Sequence, residues 1–397
     1  PQLLKRLNDV KCCREMRMSR TALERFTGFP RSAHAIEQKG ATMDETSLKH
    51  SPARGTAKRS EVSRLRATVQ QVTPVADDLM VLEFRLTDGE PLPEYSPGCH
   101  VDVTLTGPED TELVRQYSVF EMPPKEISSC DAGAHLTYGI AVKREENSRG
   151  GSLAMMQLRA GAEFLISPAH NNFELVDTAN YYVLAGAGVG IAPMLSMAQS
   201  LQRQGKPFMV LYFASSLTRA ALLPQLRSIC GESLIEVFGS PRTRQEEIYR
   251  HLLSQAPQET EFYVCGPQGY MSAAKEIVLD YLPHQNFHWE NFHPDMEALS
   301  GEKNAGAGDR AFDVEFCGET VQVPANTTVL EALEEADLPV MSRCLEGTCS
   351  TCVMKVIEGD PDHRDSVFND QMHADGAFAP CVSRALSGRL VLERWRR

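Results

Sequence analysis

From about residue 64 the chain settles into a regular texture. Residues 66–75 and Leu79–Leu86 (LMVLEFRL) roughly alternate apolar and polar positions, as half-buried strands do. Turn signals at Asp88-Gly89 and Pro97-Gly98 precede another strand-like run at 100–105. Short strands with frequent turns predict a small antiparallel β-barrel up to about Phe173. The pattern then switches. Residues 181–185 form a continuous apolar run, followed by a glycine turn, a helical stretch and a second apolar run at 208–213. A strand at 261–265 precedes a helix over 268–281. This alternation predicts an α/β unit, a parallel sheet with helices on both faces. Beyond the polar, glycine-rich stretch 293–310, short strands at 313–316 and 320–323 lead into a helix from about Val329.

Residues 1–63 differ from everything after them. Apolar positions are scattered without a sustained period, and 51–60 (SPARGTAKRS) reads as a flexible linker. The expected division is a basic, disordered extension at 1–63, a barrel at 64–175, a nucleotide-binding α/β unit at 176–292, a linker at 293–310 and a third unit at 311–397.

Composition narrows the class. Of 397 residues 42% are hydrophobic, enough for a sizeable core. No apolar run approaches the roughly 18 residues of a membrane helix, and the first residues lack a leader pattern, so a cytoplasmic chain without membrane contact is expected. Eleven cysteines, odd in number and unevenly placed, point to cysteine chemistry rather than a disulfide framework. The net charge of −13 hides an asymmetry: residues 1–66 carry 15 Lys/Arg against 7 Asp/Glu, and the remainder 25 against 46. Such an acidic body repels nucleic acid and favours a basic protein partner, whereas the basic extension alone leaves a nucleic-acid arm open.

Cys344, Cys349 and Cys352 have the spacing C-x4-C-x2-C, with Cys381 well downstream. This is the plant-type 2Fe–2S ferredoxin spacing: two irons and two sulfides need thiolates converging from one loop and a distant fourth to close the site. Gly347 would let backbone approach the cluster. The rival is a structural zinc site, which usually pairs two C-x2-C knuckles where this chain has one. Cys317 lies outside the motif and reads as a buried strand cysteine.

Two further motifs suggest nucleotide ligands. Gly188-Val189-Gly190-Ile191-Ala192-Pro193 follows a hydrophobic strand and opens a helix, where free N–H groups meet a pyrophosphate. Cys265-Gly266-Pro267 ends a later strand, and nucleotide ligands bind at such strand ends. In the barrel, Arg115-Gln116-Tyr117-Ser118 offers a phosphate partner, an aromatic face and a hydroxyl, although an ordinary strand reads the same way. Val142-Lys143 and Arg149-Gly150-Gly151-Ser152 offer a second basic, glycine-lined cradle for a terminal phosphate.

Over residues 64–397 these motifs, with CLEGTCSTC and APCVSRA, resemble the phthalate dioxygenase reductase family. The resemblance implies an FMN-binding barrel, a nicotinamide domain and an α+β β-grasp ferredoxin domain, in that order. It implies FMN held by Arg115, Tyr117, Ser118, Val142, Lys143 and the 149–152 cradle. It places NADH at Gly188, Gly190, Pro193, Cys265, Gly266 and Pro267, with Cys265 beside the nicotinamide ring and Ser118 near the flavin's reactive nitrogen, the two candidate catalytic residues. It makes the four motif cysteines the ligands of the cluster. Phe292, in His288-Trp289-Glu290-Asn291-Phe292, either covers the flavin or packs in the core. Ser350 and Ala187 stand where the family commonly has Gly.

The three sites belong together chemically. NADH gives up two electrons as a hydride, a 2Fe–2S cluster takes one at a time, and flavin mediates between the two regimes. The expected activity is electron transfer from NADH through FMN to the 2Fe–2S cluster within one monomeric reductase, delivering to a Rieske-type mononuclear iron oxygenase. A haem monooxygenase or dehalogenase acceptor, and a non-enzymatic iron–sulfur carrier, are the alternatives.

Overall fold

The structure, a computed structural model, describes residues 16–17, 64–106, 112–122, 136–145, 150–257, 259–292, 310–342, 344–368 and 370–395. The first unit is a seven-stranded antiparallel sheet. Its strands are β1 (Leu65–Ala76), β2 (Leu79–Leu86), β3 (His100–Thr106), β4 (Glu112–Ser118), β5 (Phe120–Glu121), β6 (Tyr138–Lys143) and β7 (Glu163–Ile166), with the seven-residue helix α1 (Gly151–Gln157) before the last. The hydrogen-bonded order is β4-β3-β7-β1-β2-β6-β5. The two edge strands, β4 and β5, are separated in sequence by Val119 alone, so the covalent chain brings the edges together into a barrel. Val119 donates its N–H to the Cys99 carbonyl at 3.0 Å, which fixes the crossing.

β2 departs from the expected half-buried alternation: six consecutive residues, from Leu79 to Phe84, are buried. Met80, Leu82 and Phe84 face the barrel core, while Leu79 and Val81 join the core of the second unit. The outer face of the strand is covered by the neighbouring domain, and pattern within one strand carries no record of that cover.

In the second unit, β8 (Tyr181–Ala187), α2 (Ile191–Gln204), β9 (Phe208–Ala214), α3 (Leu223–Cys230), β10 (Leu234–Phe238), α4 (Arg242–Leu253), β11 (Thr260–Cys265), α5 (Gln268–Val278) and β12 (Phe287–Glu290) alternate as expected. The parallel order is β10-β9-β8-β11-β12, with Met16–Arg17 pairing antiparallel outside β10. Tyr182 and Leu184 point to the α2 and α3 side, whereas Tyr181, Val183 and Ala185 point to the α4 and α5 side. The two-residue period of the strand thus feeds two cores. The strand order reverses between β8 and β11, and a crevice at such a point is where α/β sheets bind ligands. The 268–281 helix ends three residues early, at Val278.

The third unit has β13 (Phe312–Phe316), β14 (Glu319–Val323), α6 (Val329–Glu335), β15 (Met354–Glu358), β16 (Ala377–Phe378) and β17 (Arg389–Arg394), in the sheet order β14-β13-β17-β15-β16. α6 packs Val329, Ala332 and Leu333 on this sheet. Thr328 starts it with a capping box: its hydroxyl accepts from Glu331 N–H at 3.1 Å, and Glu331 accepts from Thr328 N–H at 2.9 Å. Cys317 is not a buried strand residue. It is exposed, with φ 56°, in the two-residue turn with Gly318 (φ 83°) that joins β13 to β14. Two consecutive positive φ values suit the twist of a hairpin, and a short side chain tolerates the place.

Apart from Met16–Arg17, residues 1–63 lie outside the described residues, as do the linker residues 293–309. No helix among the described residues is long and apolar enough to cross a membrane.

Candidate functional site

A cavity of about 880 Å³ lies where the three units meet. The barrel contributes Arg115, Tyr117, Ser118 and Lys143 to its lining, α1 contributes Ser152, the α/β unit Val189, Ala192, Glu290 and Phe292, and the third unit Cys344, Glu346 and Thr348. Motifs hundreds of residues apart in sequence therefore share one space.

Arg115 runs directly over Gly151: a Cβ there would come within 2.6 Å of the Arg115 Cγ and Nε. Gly150 beside it has φ 99°, a conformation that favours glycine. The dipeptide is thus required by backbone and by the arginine's path. Ser152 Oγ accepts from Glu145 N–H at 3.1 Å. Arg149 lies outside the described residues. Val142 is buried in the barrel core opposite Met80, so it offers the cavity no side chain. Lys143 reaches Glu145 at 3.4 Å on the rim. Tyr117 lines the cavity half-buried, and loss of solvent holds its phenol protonated, above its ordinary range.

The nucleotide turn is built by backbone contact. A Cβ on Gly190 would stand 2.3 Å from the Cys265 carbonyl oxygen and 2.7 Å from Gly266 N, so the turns after β8 and β11 touch backbone to backbone. Gly188 has φ 57°. Pro193 sits in the first turn of α2, where a missing N–H costs no helical bond. Gly266 is held close to Ala187, whose Cβ would be 2.8 Å from one on Gly266, and Pro267 caps α5. Cys265 is fully buried, and burial raises its thiol well above the ordinary value. It is a neutral packing group at the crevice rather than a nucleophile.

Glu290 is the residue that sequence reasoning missed. Ser118 donates its hydroxyl to Glu290 Oε2 at 3.4 Å, across the barrel–α/β boundary. His100 Nδ1 lies 3.8 Å from Glu290 Oε1. Burial pushes the Glu290 carboxyl up to about 8, against the lowering effect of the Ser118 hydrogen bond. Its signal was present in the HWENF stretch, but the partner hydroxyl comes from 172 residues upstream.

All four motif thiols converge. Cys349, Cys352 and Cys381 are buried and Cys344 borders the cavity. The Cys352 and Cys381 sulfurs are 3.4 Å apart. Crowding of the sulfurs favours a thiolate at Cys344 and holds Cys349 and Cys381 above the ordinary thiol value. The Glu346 N–H also points to Cys344 Sγ, at 3.4 Å. Leu345, Gly347 and Ser350 have φ values of 59°, 68° and 53°, a run of left-handed turns that wraps the loop around the sulfurs. Four convergent thiols with a backbone donor fit a 2Fe–2S cluster, and the Arg115–Gly151 cradle with the Tyr117 face fits a flavin carrying a phosphate.

Residues 314–386 match the family model described as 2Fe-2S iron-sulfur cluster binding domain. The vanillate O-demethylase oxidoreductase of Pseudomonas sp. (strain HR199 / DSM 7063) is 36% identical over 325 residues, spanning 80% of this chain and 96% of that protein. The solved structure of phthalate dioxygenase reductase, described as modular for electron transfer from pyridine nucleotides to 2Fe–2S, is 28% identical with a TM-score of 0.54, over 83% of this chain and 98% of that one. Full-length CYP116B46 of Tepidiphilus thermophilus is 30% identical with a TM-score of 0.68, over 86% of this chain but only 43% of that longer one. With its flavin-binding barrel, nucleotide sheet and cluster domain in the same order, the chain belongs to the phthalate dioxygenase reductase family of electron-transferring oxidoreductases.

Proposed function

We propose that this reductase takes electrons from NADH, passes them through FMN to its 2Fe–2S cluster, and delivers them to a Rieske-type mononuclear iron oxygenase. One observation carries the reading: flavin-motif, nicotinamide-motif and cluster residues line the same cavity. When bound, a flavin divides the two electrons of a hydride into the single-electron steps that an iron–sulfur cluster accepts.

The chain's own residues supply the rest. Arg115 and the Gly150–Ser152 backbone offer a terminal phosphate its counter-charge and donors, which favours FMN over a longer dinucleotide. Ser118 and the protonated Glu290 keep a hydrogen-bonding edge at the flavin–nicotinamide boundary, and buried Cys265 excludes water there. For the nicotinamide donor, Ser215 follows β9 where a 2′-phosphate would need a basic residue. The nearby Arg219 is engaged elsewhere: its guanidinium pairs with Asp78 at 2.6 Å and holds that carboxyl below its usual range. Both features favour NADH. An acidic third unit, with 15 Asp/Glu against 8 Lys/Arg over 311–397, supports a basic docking partner.

The likeness to CYP116B46 favours a second acceptor, the haem of a monooxygenase. The test is reconstitution with purified NADH and either a Rieske oxygenase or a haem monooxygenase. Product formation with the Rieske enzyme supports the proposal, and turnover with the haem enzyme alone replaces it. Acid-released flavin that runs as FAD would overturn the phosphate-cradle argument.

A further inference from the structure

Asn172 sits in the segment leading from the barrel to the α/β unit, and it lines the central cavity together with Tyr117, Ser118, Cys344 and Thr348. Its two amide atoms have different fates. Oδ1 accepts a hydrogen bond from Ser350 Oγ of the cluster loop at 3.0 Å. Nδ2 is shielded from solvent and has no hydrogen-bond partner among the described residues. A buried amide donor without an acceptor is costly, so a donor held in this state at a cavity wall marks the place of an acceptor on a ligand.

Ser350 supplies a second, independent observation. Its φ of 53° lies in the left-handed region, where a residue with a Cβ is strained relative to glycine. A serine here gives up backbone ease, and what its hydroxyl gains is the bond to Asn172. A second contact runs parallel: Arg115 Nη1 of the barrel lies 4.0 Å from Glu346 Oε1 of the same loop.

We propose that Asn172 and Ser350 form a positioning bridge, Asn172 donating to a polar edge of the bound flavin ring while Ser350 ties the same amide to the cluster loop, so that flavin and cluster are held at a fixed separation for electron transfer. The proposal rests on the flavin reading above. The step it serves moves one electron at a time from NADH-reduced flavin to the oxidised cluster; the flavin is oxidised, the cluster is reduced, and no bond forms between them. Ser350 acts through Asn172, so loosening the bridge lets the flavin-to-cluster separation widen and slows the transfer.

The test is rapid mixing of the holoenzyme with NADH, following flavin bleaching and cluster bleaching separately. Ser350→Gly removes the hydroxyl and relieves the φ strain, so a purely structural serine predicts an unchanged rate and equal or higher thermal stability. The bridge predicts flavin bleaching at the parental rate, undiminished stability, unchanged cluster and flavin potentials, and cluster reduction slower by severalfold. Ser350→Ala, which keeps the strain, should show the same slow transfer. Asn172→Ala should slow it too, and in the double variant Asn172→Ala/Ser350→Gly the two losses should not add, because each variant breaks the same bridge. Cluster reduction at the parental rate in Ser350→Gly, or fully additive losses in the double variant, would overturn the bridge. Parental protein whose cluster is reduced by NADH without any flavin present would overturn the flavin reading, and the bridge with it.

Discussion

Glu290 ends β12 with its carboxyl between Ser118 and His100, and its protonation links the reaction cavity to folding. In the unfolded chain the group titrates near 4.5, and in the folded protein near 8. Below the lower value both states hold the proton and burial is harmless. As pH rises from about 4.5 to about 8 the unfolded state releases its proton and the folded state keeps it, so this residue's contribution falls with rising pH. Glu290→Gln should therefore gain stability relative to the parent across that window, and the gap should level off above it. Urea midpoints at stepped pH measure this; a gap that ignores pH would sink the assignment. The cysteine ligand spacing was fully legible in sequence because wrapping a cluster demands local spacing. Glu290 and Asn172 were not, since each is defined by a partner that folding, not sequence, brings near.

At the scale of elements, the nucleotide turn depends on two loops sharing space. Gly190→Ala would drive a methyl into the Cys265 carbonyl at 2.3 Å, and backbone on both sides gives it nowhere to go. A cost of about 1–3 kcal/mol is expected, together with weaker NADH binding. Gly188→Ala meets nothing within 4 Å but must hold φ at 57°, so it should cost about 1 kcal/mol and spare the β8–β11 contact. Thermal melts and the KM for NADH of the two variants separate crowding from strain; equal effects would refute the distinction. Sequence reading assigned Gly190 to a tight turn at a nucleotide site; the structure adds its close approach to the end of another strand. Elements with a period of two or a long apolar run were readable, but the two-sided burial of β2 depends on a domain that begins a hundred residues later.

Across the whole molecule, electrons need all three units but each half of the path stands on separate residues. Cys381→Ala removes one of four converging thiols and should cripple cluster assembly. NADH should still bleach the flavin and reduce ferricyanide, because the motif residues expected to hold flavin and nicotinamide lie on the barrel and the α/β unit. Reduction of cytochrome c should collapse. Loss of flavin bleaching with cluster absorbance intact would contradict the division of labour, and circular dichroism distinguishes either result from misfolding. The order of the three units was visible in their motifs; their meeting around one cavity was not, because nothing in a motif records which face another domain covers.

The single residue between β4 and β5 gives chain length at that point the status of a functional parameter. Arg115, Tyr117 and Ser118 all lie on β4, and β5 is anchored to α2 through Gln199, which donates to the Glu121 carbonyl at 2.7 Å. One residue inserted at Val119 would leave every residue of the flavin motif present in the sequence. Yet to keep both anchors the strand would slip by one, and slipping by one turns Arg115 and Tyr117, which share a face, to the opposite side of the sheet. An alignment scored by identity would see an intact flavin motif, while the cavity would have lost it. Indel tolerance around Val119, rather than substitution tolerance within the motif, is thus the sharper indicator of whether a related sequence still builds this site.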